Sequence, residues 1–108
     1  MQLVIWALVV LYVLYSQGTD TCPDKCSCEK ASSCDGTNIN CYRSGLTGVP
    51  TDNPTDTCYL NLWENKITTL PNGIFDALTS LETLDLESNE ITTLPNGIFD
   101  ALTSLQTL

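Results

Sequence analysis

The sequence predicts an α/β-type repeat solenoid, with short parallel strands on a concave face, an irregular or 3-10 convex side, and a disulfide-stapled amino-terminal cap. Two observations carry this. Residues 67–84 read ITTLPNGIFDALTSLETL and residues 91–108 read ITTLPNGIFDALTSLQTL, an offset of 24 residues with one difference in eighteen positions, Glu82 against Gln106. Six cysteines, Cys22, Cys26, Cys28, Cys34, Cys41 and Cys58, all precede those copies. A period in the twenties with fixed leucine positions marks stacked leucine-rich coils, none of which can bury its apolar face alone.

The frame L-x-x-L-x-L-x-x-N-x-L is filled by Leu81, Leu84, Leu86, Asn89 and Ile91, and one period earlier by Thr57, Leu60, Leu62, Asn65 and Ile67. Thr57 departs from the first position, which suits a coil abutting a cap. Leu84 and Leu86 alternate with Asp85, so a strand here turns one side to the core and the other to solvent. Asn65 and Asn89 are expected to turn inward, their amides satisfying backbone groups left unpaired at the bend. Leu70, Ile74, Phe75 and Leu78, with Ile98, Phe99 and Leu102 one period on, fill the convex side, and Pro71-Asn72-Gly73 supplies a turn.

Ahead of the repeats, Leu3–Tyr15 is an unbroken run of thirteen apolar residues. At ~1.5 Å per residue it spans about 20 Å, short of a ~30 Å hydrocarbon core, and Ser16 and Gly18 follow as small residues two apart. This reads as a secretory signal peptide over 1–18, although Gln2 stands where a basic residue is usual. A cysteine-rich cap then occupies 19–56 and repeats occupy 57–108, two complete and a third truncated at Leu108 without a closing cap. In an exported chain an even cysteine count reads as a disulfide framework. A zinc site is the rival, but no C-x2-C knuckle is present. No metal and no cofactor are expected.

Four basic against thirteen acidic side chains give a net charge of −9, and there is no histidine. Nucleic-acid binding through phosphate neutralisation is thereby disfavoured, and so is docking on an anionic membrane. Without histidine, the usual general base and nucleophile pairs are missing, so no enzyme is expected.

Comparing TCYLNLWENK (57–66) with LETLDLESNE (81–90) is more informative. The two agree only at Leu60/Leu84, Leu62/Leu86 and Asn65/Asn89, whereas the convex segments are nearly duplicated. Tyr59, Asn61, Trp63 and Glu64, against Thr83, Asp85, Glu87 and Ser88, leave the frame outward, the pattern of a binding face whose chemistry changes on a fixed scaffold. Outward tryptophan and tyrosine are typical interface anchors. The plainer alternative packs Trp63 on the cap. Asp85 and Glu87, two apart on one face, have a spacing that could suit a glycosidase pair or part of a calcium site. A solvated acidic face, complementary to a basic partner, is the simpler reading.

The signal peptide, the Cys22, Cys26, Cys28, Cys41 cap spacing and the stretch LTGVPTDNPTDTCYLNLWENKITTLPNGIFDALTSL resemble the variable lymphocyte receptors of jawless vertebrates. That resemblance implies a secreted or lipid-anchored antigen binder assembled from joined repeat cassettes. It makes Tyr59, Asn61, Trp63, Thr83, Asp85, Glu87 and Thr107 antigen-facing, toward a protein or carbohydrate antigen. It also implies the pairs Cys22–Cys28 and Cys26–Cys41. Cys34 and Cys58 are extra to that pattern, and a bridge between them would tie the cap to the first strand. Membrane attachment would need a carboxy-terminal region not in this sequence. The alternative is a fixed-sequence extracellular leucine-rich protein of matrix or signalling type with a protein partner. In either case excess reductant should unfold the chain, since a small domain loses about 2–5 kcal/mol per native disulfide. Unchanged circular dichroism after reduction contradicts the framework.

Overall fold

The computed structural model describes residues 22–108. The signal peptide read over 1–18 lies outside them. Four strands, β1 (Ser27–Lys30), β2 (Thr37–Asn40), β3 (Thr57–Asn61) and β4 (Thr83–Asp85), form one sheet in that order. β1 and β2 are antiparallel, while β2–β3 and β3–β4 are parallel. A parallel bridge from Thr83 to Thr107 begins the next rung.

Side-chain alternation explains the sheet. Ile39, Leu60 and Leu84 stand in register across β2, β3 and β4, and all three are completely buried. Their neighbours Tyr59, Asn61, Thr83 and Asp85 are half-buried on the opposite side. Beneath the leucine row lie Leu62, Ile67, Leu70, Phe75, Leu78 and Leu81, one contiguous core. At about 1.5–3 kcal/mol per buried large apolar side chain, this column is the main favourable term. Phe75 and Phe99 stack with centroids 6.1 Å apart, joining one coil to the next.

No helix forms among the described residues, and the segments between the strands are irregular. Pro71 opens the turn after β3, Gly73 follows at φ 75°, and separate i to i+3 bonds run from the N–H groups of Ile74, Asp76 and Leu78 to Pro71, Gly73 and Phe75. The same bonds recur at Ile98, Asp100 and Leu102. A left-handed glycine in mid-segment interrupts any continuous helical ladder.

The asparagines turn inward. Asn65 Nδ2 donates to the carbonyls of Cys41 (2.8 Å) and Leu62 (2.9 Å), and its Oδ1 accepts from the N–H of Ser44 and of Leu46, both at 3.0 Å. Asn89 Nδ2 donates to Leu62 and Leu86, and its Oδ1 accepts from Ile67 N–H. Each amide therefore ties its own bend to the preceding rung.

Disulfides join Cys22 to Cys28, Cys26 to Cys41 and Cys34 to Cys58. The last connects the loop before β2 to β3. Gly36 lies in that junction, where a Cβ would stand 2.0 Å from the Asp56 carbonyl oxygen. That carbonyl accepts the Thr37 N–H at 3.2 Å, starting the β2–β3 contact. At the other end Leu94 and Leu108 are 57% and 64% exposed, beside Leu86, Ile91 and Phe99. Their counterparts Leu70, Leu84, Ile67 and Phe75 are buried, because a following rung covers them.

Two stability measurements follow from these contacts. Gly36→Ala should lower stability by about 1–3 kcal/mol through overpacking, whereas Gly48→Ala, with open space around its Cβ, should stay within about 0.5 kcal/mol in urea unfolding. Asn65→Leu strands several buried backbone groups and should cost at least about 2 kcal/mol in the same assay. A neutral result at Asn65 would show that water replaces the amide.

Candidate ligand-binding face

The exposed side of the sheet is organised in rows. Asn38, Tyr59, Thr83 and Thr107 stand in one row, and Asn40, Asn61 and Asp85 in the next. The sequence-predicted residues Tyr59, Asn61, Thr83, Asp85 and Thr107 thus fall on two adjacent rows of a common surface. Tyr59, Asn61, Thr83 and Asp85 are half-buried there, and Thr107 is exposed.

Trp63 and Glu87 stand outside these two rows. Both lie beyond their strands, since β3 ends at Asn61 and β4 at Asp85. The reason is a capture repeated three times. Asn40 Oδ1 accepts the N–H of Tyr42 at 3.0 Å, Asn61 Oδ1 that of Trp63 at 2.9 Å, and Asp85 Oδ1 that of Glu87 at 3.0 Å. A short polar side chain bonding the N–H two residues on is the Asx turn, which bends the chain locally. The next residues, Arg43, Glu64 and Ser88, all adopt positive φ, at 48°, 55° and 57°. Asn61 and Asp85 therefore shape the bend, whatever else they touch.

The same bend assembles a third row from Tyr42, Trp63 and Glu87. Tyr42, which lies before the repeats, stacks on Trp63 with centroids 4.9 Å apart and planes 13° from parallel. It remains 40% exposed, so Trp63 meets the cap, as the plainer alternative held, while sharing an outward-facing row. Arg43 Cζ lies 5.5 Å from the Tyr42 centroid, and Arg43 Nε donates to Glu64 Oε2. That hydrogen bond, and then the Glu64 charge, hold the Arg43 pKa above its ordinary value.

Tyr42 and Arg43 were missed by reading the repeats alone. The signal was present in the sequence: Ile39-Asn40-Cys41-Tyr42-Arg43-Ser44 runs in frame with Leu60-Asn61-Leu62-Trp63-Glu64-Asn65 and Leu84-Asp85-Leu86-Glu87-Ser88-Asn89. The repeat frame enters the cap with a cysteine in the place of a leucine.

Among the described residues, Cys34, Cys58 and Glu82 bring potential ligand atoms together. Both sulfurs are joined in a disulfide, and a metal-binding cysteine must be a thiolate. Asp85 and Glu87 differ in setting, since one oxygen of Asp85 is engaged by the Glu87 N–H, while Glu87 is exposed.

Residues 58–108 match the family described as leucine rich repeat. Leucine-rich repeat-containing protein 3B of Danio rerio is 39% identical over 79 residues, covering 72% of this chain and 31% of that protein. The platelet glycoprotein Ib beta chain of Homo sapiens is 41% identical over 81 residues, with 73% and 36% covered. Vasorin of Mus musculus is 42% identical over 79 residues, with 73% and 11% covered. The chain thus spans about a third or less of the length of these relatives. The shared frame and its 24-residue register make residues 58–108 of this chain a member of the leucine-rich repeat family.

Proposed function

We propose that this chain is the antigen-recognition module of a secreted or cell-surface immune receptor of the variable lymphocyte receptor type, binding by non-covalent contact on a concave sheet. The observation that carries the reading is the division of each rung. Ile39, Leu60 and Leu84 are fixed inward, while the outward rows run Tyr59 to Thr83 and Trp63 to Glu87, changing in size or charge at each step. A cap over 19–56, repeats from 57 onward and a leader over 1–18 complete the proposed organisation, in which further coils would extend a solenoid. Three disulfides suit an oxidising compartment outside the cytosol. The name of one relative, a platelet glycoprotein, points the same way, since glycosylation belongs to exported chains. No step of this function needs a nucleophile, a metal or a cofactor.

The competing reading, a fixed-sequence extracellular leucine-rich protein with one protein partner, uses the same face. Transcripts from many single cells of one animal separate the two. Under the receptor reading positions 59, 63, 83 and 87 differ from cell to cell. Positions 60, 62, 65 and 84 stay constant, and 61 and 85 alternate only among short polar residues that can make the Asx turn. Identical residues at all these positions in every cell would establish the fixed-sequence protein instead.

A further inference from the structure

We infer that this face takes a protein partner through a basic segment, with Tyr42 and Trp63 as its apolar anchor and Asp85 and Glu87 as the contacts that select positive charge. This rests on the reading of the sheet face as a binding surface and adds the class of partner. Tyr42 belongs to the anchor because its ring and that of Trp63 form one stacked unit, 4.9 Å between centroids.

Charge follows from what is already neutralised. The Arg43 guanidinium is bound to Glu64, so this pair leaves no net charge beside the aromatic rings. Lys25, Lys30 and Lys66, the other basic residues of the sequence, stand in none of the three rows. Among the described residues neither Asp85 nor Glu87 has an ion-pair partner, and Glu87 occupies the Trp63 position one rung on. The face therefore carries an acidic end at β4 beyond the aromatic pair, and Glu29 of β1, in register with Asn38, adds an exposed carboxylate at the cap end. A lysine or arginine next to an apolar side chain complements both ends at once. A neutral sugar ring could stack on an aromatic face but would leave the Asp85 and Glu87 carboxylates without a counter-charge. A protein segment that reaches the acidic row as well is the better fit.

The test uses the full chain and three fluorescent ten-residue peptides with a common Trp-Leu centre, flanked on each side by four lysines, four serines or four glutamates. Polarisation titrations at 50 mM salt should show the lysine peptide binding at least about fivefold tighter than the serine peptide, with the glutamate peptide weakest. Asp85→Asn with Glu87→Gln keeps the Asx acceptor and should erase that preference. Asp76→Asn with Asp100→Asn removes the same charge from the turn layer and should leave it intact. Raising salt to 500 mM should shrink the preference in the unaltered chain. Tyr42→Ala and Trp63→Ala should each weaken the lysine and serine peptides alike.

Loss of the preference in the turn-layer variant would assign it to net charge and overturn the proposal. Equal binding of all three peptides, still sensitive to Trp63→Ala, overturns the basic partner while the sheet-face reading stands. Peptide binding untouched by any of the face substitutions overturns both. Binding of a neutral glycan array in place of all three peptides replaces the protein partner with a carbohydrate.

Discussion

The buried asparagine amide is the contact on which the remaining structure depends. Each rung must turn sharply after its strand, and a sharp turn leaves carbonyl and N–H groups facing a core of leucines. Unpaired, each such group costs about 1–3 kcal/mol. Asn65 meets four of them at once, two carbonyls through Nδ2 and two N–H groups through Oδ1, drawn from both its own bend and the segment before it. Asn89 repeats the arrangement one rung on, with Leu62 and Ile67 as its partners in the earlier rung. The amide thus closes the bend and fixes the stacking register of neighbouring rungs in one step. A carboxylate could accept those N–H bonds but not donate to the carbonyls, which is why the residue must be an amide.

A second, outward polar position works with it. The Asx side chains of Asn40, Asn61 and Asp85 start the bend that Asn65 and Asn89 finish, and between them the chain passes through positive φ at Arg43, Glu64 and Ser88. These three residues carry side chains at a conformation that ordinarily favours glycine, so the bend stores modest strain that the two hydrogen-bonding positions hold in place. The result holds Tyr42, Trp63 and Glu87 beyond the strand ends, each by its backbone N–H.

The fold was legible wherever the chain repeats itself. Leu60, Leu62, Asn65, Leu84 and the turn at Pro71-Asn72-Gly73 stand out because two copies in frame separate fixed from variable positions. The strand limits were not legible. Alternation at Leu84, Asp85 and Leu86 continues in the sequence past the point where the Asp85 side chain ends the strand, since hydrophobic spacing does not register a side chain capturing a backbone N–H. Cysteine spacing dominates the cap's sequence and hides its repeat frame. Its β2 strand nevertheless continues the sheet, with Ile39 in the leucine row and Cys41 where Leu62 would stand. The disulfide from Cys26 to Cys41 replaces there the packing that a leucine supplies elsewhere.

Separating inward from outward side chains makes a face free to change, but the freedom is uneven across the rows. Tyr59 and Thr83 stand in a strand whose register is held by Leu60 and Leu84, so their replacement disturbs no bend. Asn61 and Asp85 are constrained to side chains that can accept the N–H two residues on. Trp63 is constrained from the opposite direction, because its ring covers Tyr42 at the border between cap and repeats. A stacked aromatic pair adds about 0.5–1.5 kcal/mol beyond the area it buries, so removing Trp63 weakens the seat of the cap as well as any contact with a ligand. The row nearest the cap therefore couples recognition to stability, and the strand rows leave them independent. On physical grounds, chemistry can vary most freely at Tyr59 and Thr83, and the aromatic end is where a change has to be matched by its neighbour.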